Sequence, residues 1–141
     1  MASIPVHYVD LRAFSYATED DRRVERALRT FLPDDVELER TASTGHLGDP
    51  ILVLSARVER ADEVRHVLGR LAEAEEFDRI EAELDERVTD NCELFVRLDK
   101  QAALGGEVRL GDGITLRAKV EAYPAKRETA VENAGEALDE L

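Results

Sequence analysis

A single cysteine, Cys92, excludes an internal disulfide, and the three histidines, His7, His46 and His66, are scattered with no second thiol at zinc-ligand spacing. No Cys/His metal site and no cofactor are expected. No apolar run is long enough to span a bilayer, and residues 1–5 lack the basic and hydrophobic regions of a secretory signal, so a cytoplasmic protein without membrane contact is expected. Lysine is scarce too: of 19 basic residues only Lys100, Lys119 and Lys126 are lysines, against 32 acids and a net charge of −13. Such an acidic balance argues against loose binding to nucleic acid, because cation–phosphate pairing supplies most of that affinity. It fits a protein living in molar salt, where the Debye length falls to about 3 Å and self-repulsion is screened. A halophilic cytoplasm is therefore expected, in preference to an acidic mimic of some partner.

The charge is unevenly spread. Residues 59–90 hold twelve acids and five arginines, a balance of −7, whereas residues 91–127 hold five acids and seven cations, a balance of +2. The later segment is where a polyanion could be met at short range.

With 141 residues the chain suits one domain. The expected core covers about residues 4–124, with an acidic helix or frayed tail over 127–141. Alternation predicts strands over 6–15, 36–42, 51–58, 92–99 and 114–123, with a short extra strand over 107–110 before the turn at 111–113. Val24, Ala27, Leu28 and Phe31 at helical spacing predict a first helix over 19–32, capped by Thr18 with Asp21 three residues on and stopped by Pro33. Val64, Val67, Leu68 and Leu71 predict a second helix, and Phe77, Ile80, Leu84 and Val88 a third or a kinked continuation. Because the strands alternate, the predicted class is α+β: a mainly antiparallel sheet of about five strands with helices packed on one face.

One sheet face should then be open. Its outward residues interleave Arg12, Arg97, Arg109, Arg117 and Lys119 with Tyr8, Phe14, Phe95 and Tyr123, and Asp10, Asp99, Glu107 and Glu121 lie among them. Guanidinium forks meet phosphates and aromatic rings stack on unpaired bases, so this is a candidate RNA platform. Cross-strand ion pairing accounts for the same pattern without RNA. The stretch FVRLDKQAALGG, residues 95–106, concentrates the question: Arg97, Lys100 and Gln101 read as RNA contacts with Asp99 orienting Arg97, or as an Arg97/Asp99 pair that ends a strand.

The loop GHLGDP, residues 45–50, lacks the GK[ST] and Rossmann spacings of phosphate cradles and has no helix after it. Gly45, His46, Gly48 and Pro50 read as a shaped hairpin connection, and catalysis by His46 has no nucleophile motif nearby to support it.

Three segments, FSYATEDDRRVERAL, GHLGDPILVLSARV and LFVRLDKQAALGGEVRL, together resemble the archaeal family of predicted RNA-binding proteins or predicted exosome subunits. The likeness runs from about Val6 to Tyr123, with matching positions at Thr18, Glu19, Gly45, His46, Gly48, Pro50, Arg97, Leu98, Asp99, Lys100, Gln101 and Gly106. Asp49 departs from the asparagine of that pattern and disfavours phosphate at the loop. The resemblance implies a fold similar to the ribosomal protein that binds 5S rRNA, and RNA binding without catalysis in processing or turnover, beside exosome or ribosome-associated proteins. Two other uses of the surface stand beside this: a homodimer closing the open sheet face, and an assembly factor meeting a partner protein through acidic residues such as Glu75, Glu76, Glu83 and Glu86.

Overall fold

The strand β1 (Val6–Tyr16) is the centre of the molecule: Val9, Leu11 and Ala13 are buried on one face while Tyr8, Asp10, Arg12 and Phe14 emerge on the other. The computed structural model describes residues 4–141. β1 continues into α1 (Asp21–Arg29), then β2 (Glu39–Thr44) and β3 (Pro50–Val58) form a hairpin. Three helices follow, α2 (Ala61–Leu71), α3 (Phe77–Ala82) and α4 (Leu84–Arg87), before β4 (Glu93–Asp99), α5 (Lys100–Leu104), β5 (Gly113–Val120) and α6 (Arg127–Asp139). The five strands pair antiparallel throughout in the order β2-β3-β1-β5-β4. The α+β class with one alternating antiparallel sheet is thus as the sequence predicts.

Period-two burial decides which face the helices cover. Leu54, Ala56 and Val58 of β3, Leu94, Val96 and Leu98 of β4, and Ile114, Leu116, Ala118 and Val120 of β5 join the β1 trio in one core with Leu28 of α1, Phe31 just after it, and Val64, Val67, Leu68 and Leu71 of α2. Fully burying the valine, leucine, isoleucine and phenylalanine side chains among them contributes about 1.5–3 kcal/mol each. Their strand neighbours on the opposite face stay half-buried or exposed. The acidic C-terminal segment is a docked helix, with Ala130, Ala134, Ala137 and Leu138 buried and the Asn133 side chain donating to the Glu121 carbonyl at 2.7 Å.

Several local boundaries differ from expectation for identifiable reasons. The cap of α1 is Asp20, whose carboxylate accepts from the Arg22 N–H at 2.9 Å; Thr18 is exposed, and Asp21 instead accepts from the buried Ser15 hydroxyl at 2.6 Å. Thr30 caps the end of α1, its N–H shared between the Arg26 and Ala27 carbonyls, and residues 31 and 32 continue only as i−3 turns. β2 starts at Glu39, because Val36 is drawn into a turn, its N–H donating to the Pro33 carbonyl and its own carbonyl receiving Arg29 at 2.6 Å. The expected strand over 107–110 reduces to a single bridge, Leu98 to Leu110, and the last strand ends at Val120 as Glu121 turns its N–H to the Pro5 carbonyl. Cys92 adopts φ 62, a left-handed turn, so β4 begins one residue later than predicted.

The turn over 111–113 closes tightly on the end of β4. The N–H groups of Lys100 and Gly111 donate to the carbonyls of Asp112 and Arg97 at 3.0 and 3.2 Å. A Cβ on Gly111 would lie 2.7 Å from the Asp99 Cβ, and one on Gly113, whose φ is +112, would lie 2.6 Å from the Lys100 Cβ. Gly113→Ala is therefore expected to destabilise the fold by about 1–3 kcal/mol, from the forbidden φ and the clash together; a urea midpoint unchanged from wild type would contradict this packing.

Candidate nucleic-acid interface

Across the open face, register sets side chains from neighbouring strands in rows. One row runs Arg57, Asp10, Arg117, Phe95 over β3, β1, β5 and β4, and the next runs Glu39, Ser55, Arg12, Thr115, Arg97 over all five strands. The two rows differ in how far their groups are committed.

The first row is locked. Asp10 accepts two hydrogen bonds from Arg57, at 2.7 and 3.0 Å, and is also bound by Arg117, which lies 3.3 Å from Glu93 as well. The Arg57 guanidinium sits 3.9 Å from the Tyr8 ring centroid, within cation–π range. Burial pushes the Asp10 carboxyl up, but the hydrogen bonds and charges of Arg57 and Arg117 outweigh it and hold the carboxyl below its ordinary range. Lys119, one row further on, donates to the Asn91 carbonyl.

The second row is open. Arg12 makes no ion pair among the described residues, and its guanidinium carbon lies 5.5 Å from the Phe14 ring centroid. Arg97 pairs with Asp112 at 3.2 Å, but the two side chains are 67% and 85% exposed, so the pair contributes little and is readily exchanged for another anion. Phe14 and Tyr16 remain 37% and 47% exposed, their rings 6.3 Å apart beside Arg12. Arg109 flanks the far edge, 3.2 Å from Glu107. The outward strand positions of this face carry five cations, Arg12, Arg57, Arg97, Arg117 and Lys119, and four carboxylates, Asp10, Glu39, Glu93 and Asp99, in a chain of net −13.

The polar cluster after β4 is arranged differently from either sequence reading. Asp99 does not orient Arg97: its carboxylate accepts from the Ala102 N–H at 3.0 Å and caps α5, a role that a carboxylate three residues before a helical N–H fills well. The Lys100 side chain is only 13% exposed, and its ammonium donates to Glu19 at 2.8 Å and to the Phe14 carbonyl at 3.0 Å. Gln101 is exposed and lines a depression of about 310 Å³ with Thr18, Glu19, Arg23 and Lys100. The structure thus brings Thr18 and Glu19 against Lys100 and Gln101, while Arg97 stands apart on the sheet.

Gly45, His46, Gly48 and Pro50 form the β2–β3 hairpin connection. Gly45 donates to the Asp49 carbonyl at 2.7 Å, Gly48 donates to the Gly45 carbonyl at 3.0 Å with φ +84, and Pro50 opens β3 opposite Thr44. His46 is exposed. On the helical side, Glu83 is occupied by Arg79 and Arg87 at 3.1 and 2.9 Å, and Glu76 accepts from the Leu110 N–H at 3.2 Å, leaving Glu75 and Glu86 as the exposed acids of that set. Sequence reasoning passed over Arg57, Ser55 and Thr115, although the alternation of β3 and β5 puts all three outward. The Lys100–Glu19 pair, 81 residues apart, carries no local signal.

A family model described as RNA binding matches residues 8–120. An RNA-binding protein of Pyrococcus abyssi is 33% identical over 147 residues, covering 96% of both chains. A crystal structure of a protein from Archaeoglobus fulgidus superposes with a TM-score of 0.84 at 31% identity, covering 94% of this chain and 99% of that one. A DUF54 protein of Methanothermobacter thermautotrophicus superposes with a TM-score of 0.79 at 43% identity, covering 94% and 98%.

Two outcomes are expected from this geometry. Lys100→Ala should destabilise the fold by about 1–3 kcal/mol, because it strips a charged partner from Glu19 and the Phe14 carbonyl, whereas Arg97→Ala should change stability by less than about 0.5 kcal/mol; chemical denaturation of the two variants separates them, and equal losses would refute the assignment. Asp10, with its folded pKa depressed, contributes stability that is full above the unfolded-state carboxylate range and is lost as pH falls through the lowered value. Asp10→Asn should therefore be less stable than wild type at pH 6, with the gap narrowing as both are titrated below about pH 4; a gap constant with pH would contradict the shared-carboxylate geometry.

Proposed function

The chain belongs to the RNA-binding family whose model spans residues 8–120, and on that premise we propose that it is a non-catalytic RNA-binding protein that presents the open face of its sheet to unpaired RNA. The observation that carries the proposal is the pairing of exposed, at most weakly paired cations with exposed rings on one face: Arg12 and Arg97 in one row, Phe14 and Tyr16 on the same face. Guanidinium groups take phosphates, and the rings offer stacking surface worth about 1–3 kcal/mol per base. A-form duplex buries its base edges in a narrow major groove, so exposed aromatic rings favour single strands.

Arg117 and Lys119 support the platform without meeting RNA first, since both are already engaged within the sheet. Lys100 acts as a fold clamp whose loss would disturb RNA binding indirectly. The resemblance read from the sequence adds a context for the activity: RNA processing or turnover beside the exosome, or ribosome-related work on a fold akin to that of the 5S-rRNA-binding protein. The acidic composition adds a halophilic cytoplasm, in which counterion release contributes little and stacking and shaped hydrogen bonds carry more of the affinity.

The double variant Arg12→Ala/Arg97→Ala should bind single-stranded RNA at least tenfold more weakly, at an unchanged melting temperature, and Phe14→Ala/Tyr16→Ala should lose a comparable factor. Ultraviolet crosslinking in a high-salt extract, followed by sequencing, reads both the loss and the identity of the RNA. Crosslinks of equal yield in wild type and both variants would rule out this face.

A further inference from the structure

Resting on that RNA-binding reading, we propose that the open face holds a pocket for one unpaired guanine, whose edges are read by Glu39 and Arg12 with the Ser55 hydroxyl between them. A depression of about 480 Å³ lies between the two rows of side chains, lined by Glu39, Ser55, Arg12, Thr115, Arg57 and Phe95 among others. That volume is within the range of about 300–1,000 Å³ common for small-ligand sites. Its form follows from residue size: serine and threonine at positions 55 and 115 leave room, while the neighbouring row of Arg57, Arg117 and Phe95 stands taller and, through Asp10, fixed.

The contrast in commitment is what points to a ligand. Among the described residues, the Ser55 and Thr115 hydroxyls make no side-chain hydrogen bond, and neither the Glu39 carboxylate nor the Arg12 guanidinium has an ion pair. An acceptor, a hydroxyl and a forked donor therefore sit side by side on three adjacent strands, with Glu39 opposite Ser55 and Ser55 opposite Arg12. Two strand spacings put the carboxylate-bearing and guanidinium-bearing backbones about 10 Å apart, a gap that the two side chains can close around a planar base.

Guanine matches this order of groups. Its N1–H and N2–H are adjacent donors that a carboxylate accepts as a pair, and its O6 and N7 are adjacent acceptors that an arginine fork satisfies. Adenine and cytosine present an amino group without a second donor beside it, and uracil presents a lone imide N–H. Glu39 also repels phosphate, which marks the depression as a place for a base; the backbone phosphate falls to Arg97, beyond Thr115 in the same row. Pairing would occupy N1 and N2, so the guanine must be unpaired.

The test is fluorescence anisotropy with labelled oligouridylates of about twelve nucleotides, carrying one guanosine, inosine, adenosine or cytidine at the centre, and with the guanosine strand hybridised to its complement. Wild type should prefer the guanosine strand by roughly tenfold over adenosine, cytidine and all-uridine, with inosine intermediate and the duplex weak. Glu39→Gln, on a strand whose residues are all exposed, should fold as wild type and abolish the preference while binding the all-uridine strand undiminished; Arg12→Lys should weaken the guanosine strand most. Equal affinity for all single strands, or a preference that survives Glu39→Gln, overturns the guanine pocket and leaves RNA binding standing. No binding of any single strand overturns the RNA-binding reading and the pocket with it.

Discussion

The open face is organised by one carboxylate. Asp10 lies on the central strand and accepts from an arginine on each neighbour, Arg57 of β3 and Arg117 of β5. Without it, two guanidinium groups would face each other across β1, and neither the Tyr8–Arg57 stack nor the Arg117–Glu93 contact would be held in place. Its side chain is 19% exposed, so desolvation opposes ionisation, and only the two charged partners make the carboxylate stable there. The consequence reaches one row further. Because Asp10 absorbs Arg57 and Arg117, it has nothing left for Arg12, and the second row keeps its hydrogen-bonding capacity.

How a chain of net −13 can offer such a surface is a question of distance, not of total charge. The acids of α2, α3 and α4 lie in the helix layer, on the side of the sheet away from the open face, and Glu83 among them is held by Arg79 and Arg87, each one helical turn away. At a Debye length of about 8 Å or less, charges on the far side of a sheet and a helix layer are largely screened. A strand of RNA docked as proposed would meet the local balance of the open face, where the carboxylates are mostly engaged and Arg12 and Arg97 stand at the surface. In higher salt the screening tightens further, and the local arrangement counts for still more.

The sequence carried the sheet well because a strand with one buried face writes its period directly. Leu54, Ala56 and Val58, or Ile114, Leu116 and Ala118, could hardly be read otherwise. Less legible were the places where neighbouring polar side chains compete for the same backbone groups. Asp20 takes the α1 cap from Thr18 because Asp21 is drawn off to Ser15, and α5 begins at Lys100 because Asp99 turns its carboxylate to the Ala102 N–H. The expected strand over 107–110 has the right alternation but is tied through isolated contacts to the end of β4, so only Leu110 bridges. Of the site, the outward parity of Arg12 and Arg97 was legible. Which arginines were already satisfied was not, since that depends on register between strands.

The same distinction bears on the motif RLDKQ, residues 97–101, the most specific part of the resemblance to known proteins. In the structure Leu98 is core, Asp99 is a helix cap, and Lys100 clamps Glu19 and the Phe14 carbonyl. The companion positions Thr18 and Glu19 lie at the other side of that joint. Most of the motif therefore describes how β1, α1, β4 and α5 are fastened together, and only Arg97 and Gln101 face outward. A signature of this kind identifies the fold by its joint. On the proposed reading, discrimination between RNA sequences would come from the row beside Asp10, at positions such as Glu39 and Ser55 that lie outside the motif.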